Sequence, residues 1–123
     1  MSPIKKEPER DERISLEITA DANGPEEQAM GWYSYLDDKL QFPFLAKCIA
    51  DRAISPLFKG DEVEILGMAP EGECRHEMFV ETRWGKRNLA IPLAQVKPYP
   101  RTDAETQEAV ADWHYWMARG YEL

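Results

Sequence analysis

The chain has 123 residues, of which 43% are apolar and 31% charged, and its formal net charge is −8. This length and composition are typical of a globular protein with a hydrophobic core, so we expect residues 1–123 to form a single domain. The negative charge would repel nucleic-acid backbones and anionic membranes, so we expect neither as a partner.

Two further features indicate a compartment. No apolar run approaches the roughly 18 residues that a transmembrane helix needs, and the charged segment 1–13 lacks the apolar stretch of a signal peptide. Cys48 and Cys74 form no CxxC pair, which favours two buried free thiols over a disulfide. These features predict a cytoplasmic protein.

The N-terminal part, residues 8–38, is predicted to be helical. Pro8 suits a first helical turn and is followed by acids that favour a helix start, so we expect a first helix over 8–20. A strand is the alternative, because apolar residues also alternate at Ile14, Leu16 and Ile18.

A second helix is predicted to begin at Pro25, after the turn signal of Asn23 and Gly24, and to end near residue 36 or 37. Helical spacing predicts that its inner face is formed by Met30, Tyr33 and Leu36 or Asp37, with Trp32 at the flank.

Residues 40–97 show the two-residue alternation of short β-strands. Gly85 marks a tight hairpin turn between two of them. Five strands in so short a segment must curl to lose their edges, so we expect a small SH3-like five-stranded β-barrel within an α+β fold. The predicted strands cover 42–53, 63–67, 77–81 and 88–92, and residues 93–96 form either a helical turn or a closing strand.

A C-terminal helix is predicted over about 103–119, within a segment 102–119 that follows a proline-rich link. Thr102 and Glu105 have the spacing of a capping box. The apolar residues that would pack this helix against the rest of the protein are Val110, Trp113 and Met117, with Trp116 beside them.

Carboxylates are the residues most able to carry a function. Asp37 and Asp38 come where the second helix should end, although the negative end of a helix dipole disfavours acids. Hairpin pairing of the first two strands would bring the loop after Gly67 back to them. The segment 61–81 contains seven acids, one arginine and no lysine: Asp61, Glu62, Glu64, Glu71, Glu73, Glu77 and Glu81.

These acids have two interpretations. A run of charged residues most often forms a solvent-exposed face of a protein, and the sequence allows this first interpretation. If the helix-end acids meet the loop acids, however, four or more oxygens converge, and oxygen ligands in a flexible loop select Ca²⁺. The site would not be an EF-hand, because the segment from Asp21 places Gly24 fourth instead of sixth and ends in Trp32 instead of Glu.

Long motifs of this chain resemble a known family. They are Met30-Gly31-Trp32-Tyr33-x-Tyr35-Leu36-x-Asp38, Leu40-x-Phe42-Pro43-Phe44, Gly60-Asp61-x-Val63-x-x-Leu66-Gly67-Met68, Glu73-Cys74-x-x-Glu77-Met78-Phe79-Val80 and Leu89-Ala90-Ile91-Pro92-Leu93. Over about residues 10–98 the chain resembles the small cyanobacterial-type calcium-binding proteins, the CcbP family.

The resemblance implies an acidic cytoplasmic protein that binds calcium ions without EF-hands, at two neighbouring sites, as a buffer or a sensor. It implies a central role for Asp38, with Asp37, Glu73 and Glu77 as further ligands. Glu71 is added by the spacing argument alone. These five carboxylates are the predicted metal site, and no catalytic residue is predicted.

Two other functions compete with calcium binding. A protein-interaction module without metal function could present an aromatic groove built from Trp32, Tyr33, Tyr35, Trp84 and Tyr99. An enzyme is disfavoured, because His76 and His114 have no nucleophile or metal-spaced partner nearby and no phosphate loop is present.

Overall fold

The computed structural model describes residues 6–20 and 22–120, so Asp21 of the segment compared with an EF-hand lies outside the described residues. The described part is an α+β fold of three α-helices and five strands. The helices are α1 (Pro8–Arg13), α2 (Pro25–Lys39) and α3 (Ala104–Ala118), and the strands are β1 (Phe44–Cys48), β2 (Glu62–Met68), β3 (Phe79–Trp84), β4 (Arg87–Pro92) and β5 (Val96–Pro98). No described helix has the length and apolarity to cross a membrane.

The first predicted helix is confirmed, and the strand alternative is wrong. After α1 the chain continues as one π-helical turn, Ile14–Ile18, in which the Thr19 N–H donates to the Ile14 carbonyl at 2.9 Å. This wider turn buries Ile14 and Ile18, whereas Leu16, whose alternation with them suggested a strand, is 65% exposed.

The inner face of α2 differs from the prediction. Trp32 and Leu36 are fully buried, whereas Met30 is 45% exposed. Trp32 is central because α3 lies against it, with the rings of Trp113 and Trp116 centred 5.0 and 5.6 Å from the Trp32 ring. Aromatic rings bury large areas and prefer such edge-on contacts, so they decide which side of α2 faces inward.

All five strands form one antiparallel sheet in the order β4-β3-β2-β1-β5. The outermost strands β4 and β5 do not pair, so the sheet is open and an SH3-like barrel is not confirmed. The stretch predicted as a helical turn or a closing strand contains both, a 3₁₀ turn over Leu93–Gln95 and then β5.

The first strand ends at Cys48, five residues earlier than predicted, because a buried side chain holds the following backbone in a loop. The Gln95 side chain donates hydrogen bonds to the carbonyls of Ala50 at 3.0 Å and Leu57 at 3.4 Å. The segment 49–61 is therefore an ordered loop. The two cysteines are buried and free, as predicted.

The predicted cap of α3 is wrong by one residue. Asp103, not Thr102, is the N-cap, and its carboxylate accepts a hydrogen bond from the Thr106 N–H at 2.9 Å. The Thr106 hydroxyl in turn accepts from the Gln41 N–H at 2.8 Å, which joins the start of α3 to the end of α2.

A buried carboxylate joins the three helices. Asp112 of α3 is 0% exposed and accepts hydrogen bonds from Arg10 and Arg13, each at 2.6 Å, and from the Tyr35 hydroxyl at 2.8 Å. The hydrogen bond that Arg13 donates to Asp112 is the main reason that the pKa of Arg13 is raised. Burial, and then Asp112, raise the pKa of Tyr35. Asp112 therefore links α1, α2 and α3.

We expect Asp112→Asn to lower the free energy of unfolding by about 3 kcal/mol, because two arginines lose the charge that pairs them in a buried setting. Urea denaturation measures this. Glu108→Gln is the matched control, since Glu108 contacts Arg13 at 3.5 Å from an exposed position and should cost less than about 1 kcal/mol. Equal losses in the two variants would contradict the role of Asp112.

Gly31 marks the closest approach of α2 to the π-helical turn. A Cβ atom there would lie 2.2 Å from the Ile18 carbonyl oxygen. Gly31→Ala should therefore destabilise the protein by about 1–3 kcal/mol, although alanine is the better helix former. Gly72→Ala is the control, because a Cβ there meets nothing within 4 Å, and it should leave the urea midpoint almost unchanged. A Gly31→Ala variant that is more stable than the wild type would refute the close contact.

Candidate metal centre

Two of the predicted ligands lie near the hydroxyl of Tyr33. Tyr33 and Asp37 are four residues apart in α2 and share one face of the helix. The Tyr33 hydroxyl donates a hydrogen bond to the Ala69 carbonyl at 2.8 Å, which ties α2 to the loop after β2. Glu71 begins a 3₁₀ turn in that loop. The helix-end acid Asp37 and the loop acid Glu71 thus approach the same tyrosine.

The ionisation of Tyr33 reports on its surroundings. Its pKa is raised, and burial is the largest cause. Nearby negative charge adds to the effect by disfavouring the phenolate. The groups that contribute in this way are Cys74, Asp37, Glu71 and Glu81. Three carboxylates therefore lie within electrostatic range of one hydroxyl group.

Glu73 belongs to the same region because it affects the pKa of the Cys74 thiol. Burial raises the pKa of the Cys74 thiol, a backbone hydrogen bond with Phe79 lowers it, and Glu73 and Glu71 raise it again. Within the described residues, none of the surrounding acids forms an ion pair. We define the acidic cluster as Asp37, Glu71, Glu73 and Glu81.

Asp38, the acid that the resemblance makes central, lies apart from the cluster. It follows Asp37 by one residue, and neighbouring positions of a helix point in directions about 100° apart. Its side chain is 78% exposed, with Lys39 Nζ 3.9 Å away. It borders a shallow hollow that Glu17 and Ser34 also line. Asp37 and Asp38 thus face different sides of α2.

Glu77 already has a cationic partner. Both of its carboxylate oxygens accept hydrogen bonds from Arg52, at 2.5 and 3.1 Å. This two-fold contact ties the start of β3 to the loop 49–61 and directs the carboxylate toward that loop. Asp37, Glu71 and Glu73 thus lie within electrostatic range of Tyr33 or Cys74, whereas Asp38 and Glu77 have other neighbours.

Glu81 was not among the predicted ligands. It pairs with Gly67 across β2 and β3, just before the loop that carries Glu71. Strand alternation placed Glu81 opposite Met78 and Val80, on the face that does not enter the core. Only the register of β2 against β3, which contains an irregularity between Ile65 and Gly67, brings it near Tyr33.

The chemistry of the acidic cluster fits Ca²⁺, which prefers carboxylate and carbonyl oxygens in flexible loops. A hollow of about 330 Å³ beside it is lined by Glu26, Glu27 and Glu71, with Arg75 at its border. In residues 6–20 and 22–120, however, no three acids, histidines or cysteines stand as a coordination shell. Ion binding would require side chains to turn inward, and Asp37, Glu71 and Glu73 are exposed and free to do so.

The aromatic groove of the alternative function is not present as predicted. Trp32 is fully buried, and the hydroxyls of Tyr33 and Tyr35 are engaged within the protein. Trp84 is exposed at the tip of the β3–β4 hairpin. Trp32, being buried, cannot line a groove open to a peptide.

Comparisons with known proteins point to one family. The family model of CcbP, described as calcium binding, matches residues 12–117. The crystal structure of Anabaena CcbP is 42% identical to this chain, with a TM-score of 0.86, and the match covers 100% of both chains. A calcium-binding protein in the calcium-binding form is also 42% identical over 100% of both chains, with a TM-score of 0.85. A comparison with curated proteins gives no significant match.

We expect Glu71→Gln to lower the pKa of Tyr33 toward its ordinary value, because one negative charge that disfavours the phenolate is removed while burial remains. Ultraviolet titration of the phenol groups measures this, with Tyr33→Phe identifying the contribution of Tyr33. Glu64→Gln, the same change outside the cluster, should leave that pKa unaltered. An unchanged pKa in Glu71→Gln would place Glu71 away from Tyr33.

Proposed function

The chain belongs to the CcbP family of calcium-binding proteins, and from that premise we propose that its acidic cluster binds Ca²⁺. One observation carries the proposal: four carboxylates lie within electrostatic range of Tyr33 or Cys74, and none has an ion-pair partner within the described residues. The matching family is one of calcium-binding proteins and not of enzymes.

Repulsion among the carboxylates supplies part of the driving force. Two carboxylates about 4 Å apart repel by roughly 4 kcal/mol at an effective dielectric constant of about 20. A divalent cation between them converts this repulsion into attraction. Asp37 and Glu71 would be direct ligands from two different elements, while Glu73 and Glu81 add charge or complete the shell. The irregular donor set suits Ca²⁺ better than Mg²⁺, which demands near-octahedral geometry.

Asp38 is proposed to serve a second, neighbouring ion. Its exposed carboxylate lies on a different side of α2, with Glu17 beside it, and the family resemblance implies two adjacent sites. Glu77 could act as a ligand only after releasing Arg52. We therefore propose that Glu77 holds the loop 49–61 in place and does not contact calcium.

We propose a buffering role rather than a sensing role, in a reducing cytoplasmic setting. Tyr35 anchors α2 to Asp112, and Tyr33 anchors it to Ala69. Calcium binding can therefore turn exposed side chains without moving the helix. Amide NMR spectra should show calcium-dependent shifts near α2 and the Glu71 loop, whereas shifts throughout α3 would favour a sensor.

Calcium titration by calorimetry tests the sites. The wild-type protein should bind close to two ions, with dissociation constants on the order of 10⁻⁷ to 10⁻⁵ M if the ligands are this charged. Asp38→Asn should remove one ion and keep the other. Asp37→Asn and Glu71→Gln should each weaken the remaining site at least about tenfold, because each removes a charged oxygen ligand.

Two variants sharpen this experiment. Glu64→Gln makes the same charge change on an exposed strand position and should leave both affinities nearly intact. Glu77→Gln should lower the free energy of unfolding but have little effect on the calcium affinity. An absence of binding heat at millimolar calcium would reject the proposed function, and equal weakening by Glu64→Gln and Glu71→Gln would reject the proposed site.

A further inference from the structure

A second concave site lies away from the acidic cluster. Between α3 and β5 the protein encloses a groove of about 700 Å³, within the size range of small-molecule binding sites. Its walls are mainly apolar and are contributed by the residue after β1, by β5 with the turn before it, by α3, and by Glu7 and Arg10 at the start of the described chain. The principal apolar residues are Ile49, Ala94, Pro98, Val110, Ala111 and Met117.

An unpaired lysine stands on the wall of this groove. Lys97 is exposed and has no carboxylate within ion-pair distance in the described part of the chain. It lies directly opposite Lys47 across β1 and β5, and like charges in such positions destabilise a sheet. Lys47 also has Glu62 opposite it on β2, whereas Lys97 is on the outermost strand of the described sheet and has no such partner. Its charge also lowers the pKa of His114, after the larger effect of burial. An anion beside Lys97 would relieve this repulsion.

The other charges around the groove are already balanced. Arg10 shares its guanidinium between Asp112 at 2.6 Å and Glu7 at 3.3 Å. His114 lies with Nε2 3.2 Å from the Leu93 carbonyl. Among the described residues that line the groove, Lys97 is therefore the cation available to a ligand, in a protein whose formal net charge is −8.

We propose that this groove binds a small anionic amphiphile, with its apolar chain along α3 and its acidic headgroup against Lys97. The apolar walls and the unpaired Lys97 at the rim complement those two parts of the ligand. The net negative charge makes the proposal specific, because non-selective association with an acidic protein would favour cationic amphiphiles instead. The proposal is independent of calcium binding.

Dodecanoate below its micelle concentration is the probe. We expect saturable binding of about one molecule per chain by calorimetry, and displacement by dodecanoate of the fluorescent anion anilinonaphthalene sulfonate. Dodecyltrimethylammonium, with the same apolar chain and the opposite charge, should displace the fluorophore far less. No dodecanoate binding, or equal displacement by the cation, would overturn the proposal.

Two substitutions locate the ligand. Lys97→Glu should weaken dodecanoate binding at least about tenfold, since it removes a charge-assisted contact and adds repulsion. Lys86→Glu, the same change at the β3–β4 turn, is the matched control and should have little effect. Ala111→Trp should fill the groove and abolish binding. Unfolding midpoints and calcium titrations of each variant confirm that the fold is retained.

The competing occupant is a second copy of the chain. Sedimentation measurements distinguish it: a wild-type dimer that Ala111→Trp converts to a monomer would show that the groove is an interface, and would overturn the ligand proposal. A monomer in both forms, with dodecanoate binding lost only in the groove variants, would support it. Unaltered binding in Lys97→Glu would refute the headgroup contact.

Discussion

The burial of Asp112 is the constraint on which the rest of the structure depends. A carboxylate that is 0% exposed would be strongly unfavourable without partners, and two arginines and a tyrosine hydroxyl provide them. These partners come from α1 and α2, so satisfying one charge on α3 fixes the positions of three helices. The cluster of Trp32, Trp113 and Trp116 then packs between α2 and α3.

This arrangement determines what α2 can present to solvent. Tyr35 faces Asp112, and Tyr33 reaches the Ala69 carbonyl on another side of the helix. Beyond these two anchors, the C-terminal turn of α2 carries Asp37, which lies within electrostatic range of Tyr33, as Glu71 does. The packing of the core therefore fixes the backbone that carries the acids proposed to bind calcium.

Periodicity predicted the elements well, and contacts between elements account for the differences. Trp32 was assigned to the flank of α2 because spacing alone cannot tell which of two apolar edges α3 will cover. Asp103 caps α3 in place of Thr102, because Thr106 must also reach the Gln41 backbone. The first strand stops at Cys48 because Gln95, far along the chain, captures the Ala50 carbonyl.

Long motifs in the chain are enough to identify the family, while local spacing and composition predict the helical and strand segments, the free cysteines and the acidic character. The folded structure was needed to show that Glu81, like Asp37 and Glu71, lies within electrostatic range of Tyr33, that Arg52 pairs with Glu77, and that Asp112 is buried. A charge looks the same in a sequence whether it is solvated, paired or buried, because its partners lie on distant elements that only folding brings together.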